Sequence, residues 1–202
     1  NFKGSSVGSN IILGGDPAAY LTSGNPDPVN QGWLRLTKDD NSQRGYAYVN
    51  NSFPCTLGAY IEFEYKTWRS KGSSADGICI FLFDAETPTF RIGAFGGSLG
   101  YAASTLGGYT PGLAGAYLGV GLDEFGNFAS NEEGKDGPGY RTNAITLRGP
   151  ETPKNSTNPA YRFLISQTVG GGLGNIAYGT RTSTRPTDTQ FYRKVRIHIE
   201  PE

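Results

Sequence analysis

The sequence predicts an all-β fold, a sandwich or barrel of short antiparallel strands, and three observations predict it. Short segments of alternating or continuous apolar residues recur along the chain. Clusters rich in Gly, Pro, Asn, Asp and Ser separate them. No stretch of about a dozen residues combines a 3.6-residue apolar period with freedom from Gly and Pro, so helices are not expected.

Taken in order, residues 33–37 (WLRLT) and 45–49 (GYAYV) alternate apolar and polar side chains, as does 59–66 (AYIEFEYK). In the last of these, Tyr60, Glu62 and Glu64 share one face and Ile61, Phe63 and Tyr65 the other, because successive residues alternate across a strand. Residues 78–83 (ICIFLF) form a continuous apolar run, the pattern of a strand covered on both faces. Residues 117–122, 144–147, 161–165 and 191–199 complete the set. Turn-rich clusters lie at 22–31, 70–75 and 149–159. In the closing strand Val195, Ile197 and Ile199 oppose Arg196, His198 and Glu200. Both ends of the chain offer apolar faces, which predicts closure by pairing of the termini in one sheet. No linker and no repeat of 20–50 residues divides the chain, so residues 1–202 are expected to form a single domain.

Composition narrows the function. Lys plus Arg and Asp plus Glu each number 18, giving a formal net charge of zero. Nucleic-acid binders concentrate basic residues, and the stretch from Tyr192 to Arg196 is too short to be a basic arm. No apolar run approaches the ~18 residues that span a membrane. The 30 glycines follow no G-X-Y period. There is no signal peptide and no methionine, so the sequence reads as a mature or excised domain whose targeting segment has been removed. Cys55 and Cys79 are compatible with one disulfide or with two buried thiols. Zinc needs more thiols or histidines than these.

Signatures of catalysis are weak. Residues 96–100 (GGSLG) match G-x-S-x-G, but no helix follows, and the single histidine, His198, lies among surface-facing residues of the last strand. Glu62 and Glu64 stand two residues apart, ~6.6 Å, a spacing a glycosidase could use. Asp123 and Glu124 are adjacent and point to opposite faces. N-x-S/T sequons occur at Asn50 and Asn155.

Three loop segments stand out jointly: Ala75-Asp76-Gly77, the stretch from Gly96 to Tyr101, and the stretch from Gly119 to Asn127 (GVGLDEFGN). Each alone is a common turn. In this order they resemble the sugar-binding loops of the L-type (legume-lectin-like) lectin superfamily, most of all its bacterial members, and the resemblance runs from about Trp33 to the end. It implies a concanavalin A-like jelly-roll antiparallel β-sandwich that binds carbohydrate. It also implies a role for each matching position. Asp76, after a cis peptide, would accept hydrogen bonds from two sugar hydroxyls. Gly97 would donate its backbone N–H, Phe125 would stack on the sugar, and Asn127 would contact a hydroxyl. Calcium is implied beside the sugar, held by Asp123, the Phe125 carbonyl and Asn127. All are oxygen ligands, as calcium prefers.

The likeness is incomplete. A further acidic calcium ligand has no counterpart: Ser130 and Asn131 occupy its place, with Glu132, Glu133 and Asp136 as substitutes nearby. The transition-metal glutamate position is Gly121 and the matching histidine is missing, with Asn143 before the strand, so manganese is not expected. Tyr101, Tyr109 and the glycine-rich stretch 107–115 either line the rim of the site or cover the sheet.

The expectation is therefore a non-enzymatic glycan-binding module of a secreted or cell-surface protein, an extracellular adhesin domain within a larger multidomain bacterial protein. A degenerate sandwich serving protein interaction and a jelly-roll glycosidase using Glu62 and Glu64 are the alternatives.

Overall fold

The computed structural model describes residues 1–72, 75–151, 160–169, 175–177, 179–187 and 193–201. They fold as an all-β chain whose only helical pieces are three single 3-10 turns, Cys55–Leu57, Gly96–Ser98 and Asn127–Ala129. The strands are β1 (Ile11–Asp16), β2 (Tyr20–Leu21), β3 (Leu34–Arg35), β4 (Arg44–Val49), β5 (Ala59–Tyr65), β6 (Gly77–Phe83), β7 (Ala116–Asp123), β8 (Ala144–Arg148), β9 (Phe163–Thr168) and β10 (Arg193–Ile199). Every ladder between them is antiparallel.

The largest sheet has the order β6-β7-β8-β9, and β1-β4, β2-β3 and β5-β10 pair as two-stranded ribbons. Among the described residues the termini do not share a sheet, contrary to the expectation from their apolar faces: β10 lies against β5, and β1 against β4. Apolar matching explains the first pairing. Ile61 faces Ile197 and Phe63 faces Val195, while Glu62 faces Arg196 on the other side. Cross-strand pairs of this kind fix register. β1 was not foreseen at all, and the segment 33–37 is a strand only over Leu34–Arg35. The segment 191–199 is a strand from Arg193 onward, its first two residues lying outside the described set.

The sheet β6–β9 has two unlike faces. On one, Ile78, Ile80 and Leu82 of β6 lie opposite Leu122, Val120 and Leu118 of β7. An open space of about 3560 Å3 borders β4, β5 and β6 and the chain around them. The other face carries Cys79, Phe81 and Phe83, which pack against a core of Tyr101, Leu113, Phe128 and Tyr161 supplied by the connecting loops. Gly119 and Gly121 make that packing possible: a Cβ at Gly119 would lie 2.7 Å from the Tyr101 ring, and one at Gly121 would run into the Phe128 ring. Cys79 is a free thiol, and burial pushes its pKa up.

Candidate functional site

The three loop segments converge at one end of β6 and β7. Asp76 enters through a cis Ala75–Asp76 peptide. Its carbonyl accepts the N–H groups of Glu124 and Phe125 at 2.9 and 3.2 Å, which ties the start of β6 to the turn after β7. That turn is held by Asp123. Its Oδ1 accepts the Gly126 N–H at 2.7 Å and its Oδ2 the Phe128 N–H at 2.8 Å. Gly126 sits at φ 107°, and a Cβ there would lie 2.5 Å from the Thr142 nitrogen, so the turn admits only glycine at this position.

The turn delivers the Asn127 carboxamide between the other two loops. It lies against the Asp76 carboxylate, close enough to lower that group's pKa. It also rests on Gly97, where a Cβ would lie 2.8 Å from Oδ1 and nearer still to the rest of the amide. A Cβ on neighbouring Gly96 would stand 3.9 Å from Asp76 Oδ2. Asp76, Gly97 and Asn127 therefore form one polar cluster, although 51 positions separate the first from the last. The Asn127 Oδ1 is buried without a hydrogen-bond partner among the described residues. A buried acceptor of this kind is costly unless a donor arrives.

Phe125 projects from the same turn and is 41% exposed. Its ring meets that of Tyr140 edge to face at 5.9 Å. The Tyr140 hydroxyl donates to Glu132 Oε2 at 2.8 Å, and the Glu132 carboxylate raises its pKa. Exposed Phe95 stands directly before Gly96. Sequence reasoning missed both, Tyr140 against the Phe125 ring and Phe95 next to Gly96 in the chain. The signal for Tyr140 was slight, a tyrosine at the end of a Gly-Pro-Gly turn.

The electrostatics are those of partly enclosed carboxylates. Burial raises the Asp76 pKa, the Asn127 carboxamide opposes it, Glu133 adds to it and Lys135 subtracts. Burial pushes Asp123 up to about 6 against the two backbone N–H bonds, with Asp76 contributing further. Of the oxygens implied for calcium, both Asp123 carboxylate atoms accept backbone N–H groups, and the Phe125 carbonyl accepts the Thr142 hydroxyl at 3.1 Å. Asn127 Oδ1 remains. Glu133 pairs with Lys135 at 2.8 Å and Asp136 with Arg148 at 3.1 Å. Gly121 is filled over by the Phe128 ring. Asn143 clips two segments together, donating from Nδ2 to the Val169 carbonyl and accepting the Ile176 N–H at 2.6 Å each.

Other candidate residues lie elsewhere. Tyr101 does not line the rim: it is fully buried and its hydroxyl donates to the Gly149 carbonyl at 2.8 Å. Tyr109 is exposed. Ser98 is fully buried, with Oγ donating to the Ala103 carbonyl at 2.9 Å. His198 stands on β10 with its Nδ1 3.8 Å from Glu200. Glu62 bonds Arg196 at 2.7 Å and Lys194 at 3.1 Å, and these cations hold its carboxyl at about 2. Asn50 is exposed, and Asn155 lies outside the described residues.

No family model matches the chain, and no curated protein matches it.

Proposed function

We propose that this chain is a carbohydrate-binding domain, a secreted or surface-displayed lectin-like module and not an enzyme. In this reading the strands close into a concanavalin A-like jelly-roll sandwich, with the apolar faces of β5 and β10 turned toward that of β6, β7 and β8. The observation that carries the reading is the meeting of Asp76, Gly97 and Asn127 beside the exposed rings of Phe125 and Tyr140. A pyranose presents hydroxyls at its edge and C–H groups on a face. The edge needs fixed acceptors and donors, of which a carboxylate makes the stronger bonds. The face needs an aromatic ring. Asp76 accepts from two hydroxyls, and Asn127 Oδ1, which lacks a donor among the described residues, accepts a third. Gly97 holds the second position of a 3-10 turn, where a backbone N–H has no partner within the turn and is available to an incoming oxygen.

The glycosidase alternative is less favoured. A general acid needs a raised pKa, and the pairing of Glu62 with Arg196 and Lys194 works in the opposite direction. Binding to a glycan array tests the proposal, with Asp76→Ala and Asn127→Ala as comparisons. The expected result is saccharide binding by the wild type that both substitutions abolish. Binding unaffected by either substitution, or silence across diverse glycans, overturns it. Release of reducing sugar from polysaccharides that Glu62→Gln abolishes would reinstate the enzyme.

A further inference from the structure

The loop that carries Phe125 and Asn127 is pinned from beneath by an arginine that its position at a strand end does not advertise. The Arg148 side chain is 0% exposed. Its Nε donates to the Phe128 carbonyl at 2.8 Å. Nη1 donates to the Tyr161 carbonyl at 2.8 Å and to Asp136 Oδ1 at 3.1 Å. Nη2 donates to the Asp136 carbonyl at 2.8 Å and the Ser130 carbonyl at 3.2 Å. A guanidinium has five N–H donors, so every one is used, and four of the five acceptors belong to residues 128–136. The guanidinium carbon also lies 5.3 Å from the centre of the Phe128 ring. Arg148 stands on the same face of the sheet as Asp123, which clamps the front of the same loop through Gly126 and Phe128.

We propose that Asp123 and Arg148 together order the loop 124–136, so that the binding site forms without a metal ion. Calcium takes six to eight oxygen ligands. Here four carboxylates in and beside the loop are already engaged: Asp123 by two backbone N–H groups, Glu132 by Tyr140, Glu133 by Lys135, and Asp136 by Arg148 and the Phe163 N–H at 2.8 Å. Lys135, with 2% of its side chain exposed, puts a second fixed positive charge in the same loop. The guanidinium gathers the carbonyl oxygens of Phe128, Ser130 and Asp136, and the Phe125 carbonyl is taken by the Thr142 hydroxyl. Arg148 is thus a positioning residue, acting on a ligand through the backbone it fixes.

The inference rests on the carbohydrate reading only for the purpose of the loop, and its test separates the two. Hydrogen exchange over 124–136 and the thermal midpoint are measured for the wild type in excess calcium and in excess chelator, and for Arg148→Lys and Arg148→Met. Glycan affinity is measured alongside. The wild type is expected to show the same exchange and the same midpoint in both media. Arg148→Lys, which keeps the charge but not the fork of donors, is expected to exchange at least about tenfold faster in this loop. It is also expected to lose glycan affinity in both media. Faster exchange of the wild type in chelator, a calcium-raised midpoint, or normal loop exchange in Arg148→Lys overturns the proposal. If Arg148→Met does not fold, the wild-type comparison and Arg148→Lys still decide. A wild type that binds no glycan but shows the stated exchange pattern removes the carbohydrate reading and leaves this one standing.

Discussion

Gly97→Ala is the most economical probe of the convergence at the site. A Cβ at this position would lie 2.8 Å from Asn127 Oδ1 and closer to the rest of the carboxamide. Ordinary van der Waals separation is about 3.5–4.0 Å, so the overlap approaches an ångström. The amide has little room to yield. Asn127 is 7% exposed, its side chain lies against Asp76, and its backbone lies in the turn fixed by Asp123. Overpacking costs about 1–3 kcal/mol, and so rigid a neighbour places this case in the upper half, about 2–3 kcal/mol. For a chain of this length each kcal/mol moves the midpoint by roughly 2–4 °C, giving a fall of about 4–12 °C by calorimetry. The backbone at Gly97 does not require glycine, so the penalty comes from the contact alone.

A double-mutant cycle isolates that contact. Asn127→Ala removes the three atoms that the new methyl meets, so the double variant is expected to be more stable than the sum of the two single effects by about 1–2 kcal/mol. Additive behaviour, or a Gly97→Ala midpoint equal to the wild type, would show that the two loops do not touch and would refute the reasoning.

Phe125→Ala is expected to weaken glycan binding by at least about tenfold in titration calorimetry while leaving the midpoint nearly unchanged, since its ring is exposed and meets only Tyr140 among the described aromatic residues. In carboxyl-detected NMR, Asp123 should titrate near 6. That value is raised above an unfolded Asp, so its contribution favours the fold below about pH 4 and is lost as pH rises through 6, by on the order of 3 kcal/mol. An Asp123 titration below 4 would contradict it. Gly121→Ala should destabilise by about 1–3 kcal/mol in urea unfolding, because its methyl meets the Phe128 ring. Ser98→Ala should cost about 1 kcal/mol through the lost bond to the Ala103 carbonyl, and ester hydrolysis assays should show no difference from the wild type.

What was legible in the sequence was whatever depends on neighbours along the chain. The alternation in 59–66 gave the faces of β5 correctly, since Tyr60, Glu62 and Glu64 are exposed and Ile61, Phe63 and Tyr65 are not. The uninterrupted ICIFLF gave β6. Alternation does not say which strand lies alongside, so the partner of β10 was misjudged: the match that brings Arg196 beside Glu62 involves residues 134 positions apart. β1 escaped notice because Gly14 and Gly15 read as a break in the pattern. They belong to the strand because β4 comes so close that the Tyr46 ring and the Arg44 carbonyl leave no room for a side chain.

The site divides the same way. Asp76, Gly97 and Asn127 were picked out only through the resemblance of three loops taken together, since each alone is a common turn, and their meeting depends on the turn after β7 folding back onto the start of β6. Arg148 shows the limit more sharply. By composition a charged residue in a strand is a surface residue, and Arg196 of β10 is one. The difference is the company each keeps. Arg196 meets the carboxylate of an exposed glutamate, whereas Arg148 lies buried against the Phe128 ring and finds five oxygens there. Four come from a loop that, lacking strand partners of its own, must place its carbonyls somewhere. The same loop carries the groups offered to a ligand, so the burial of one arginine and the exposure of one phenylalanine are two consequences of a single turn being held in place.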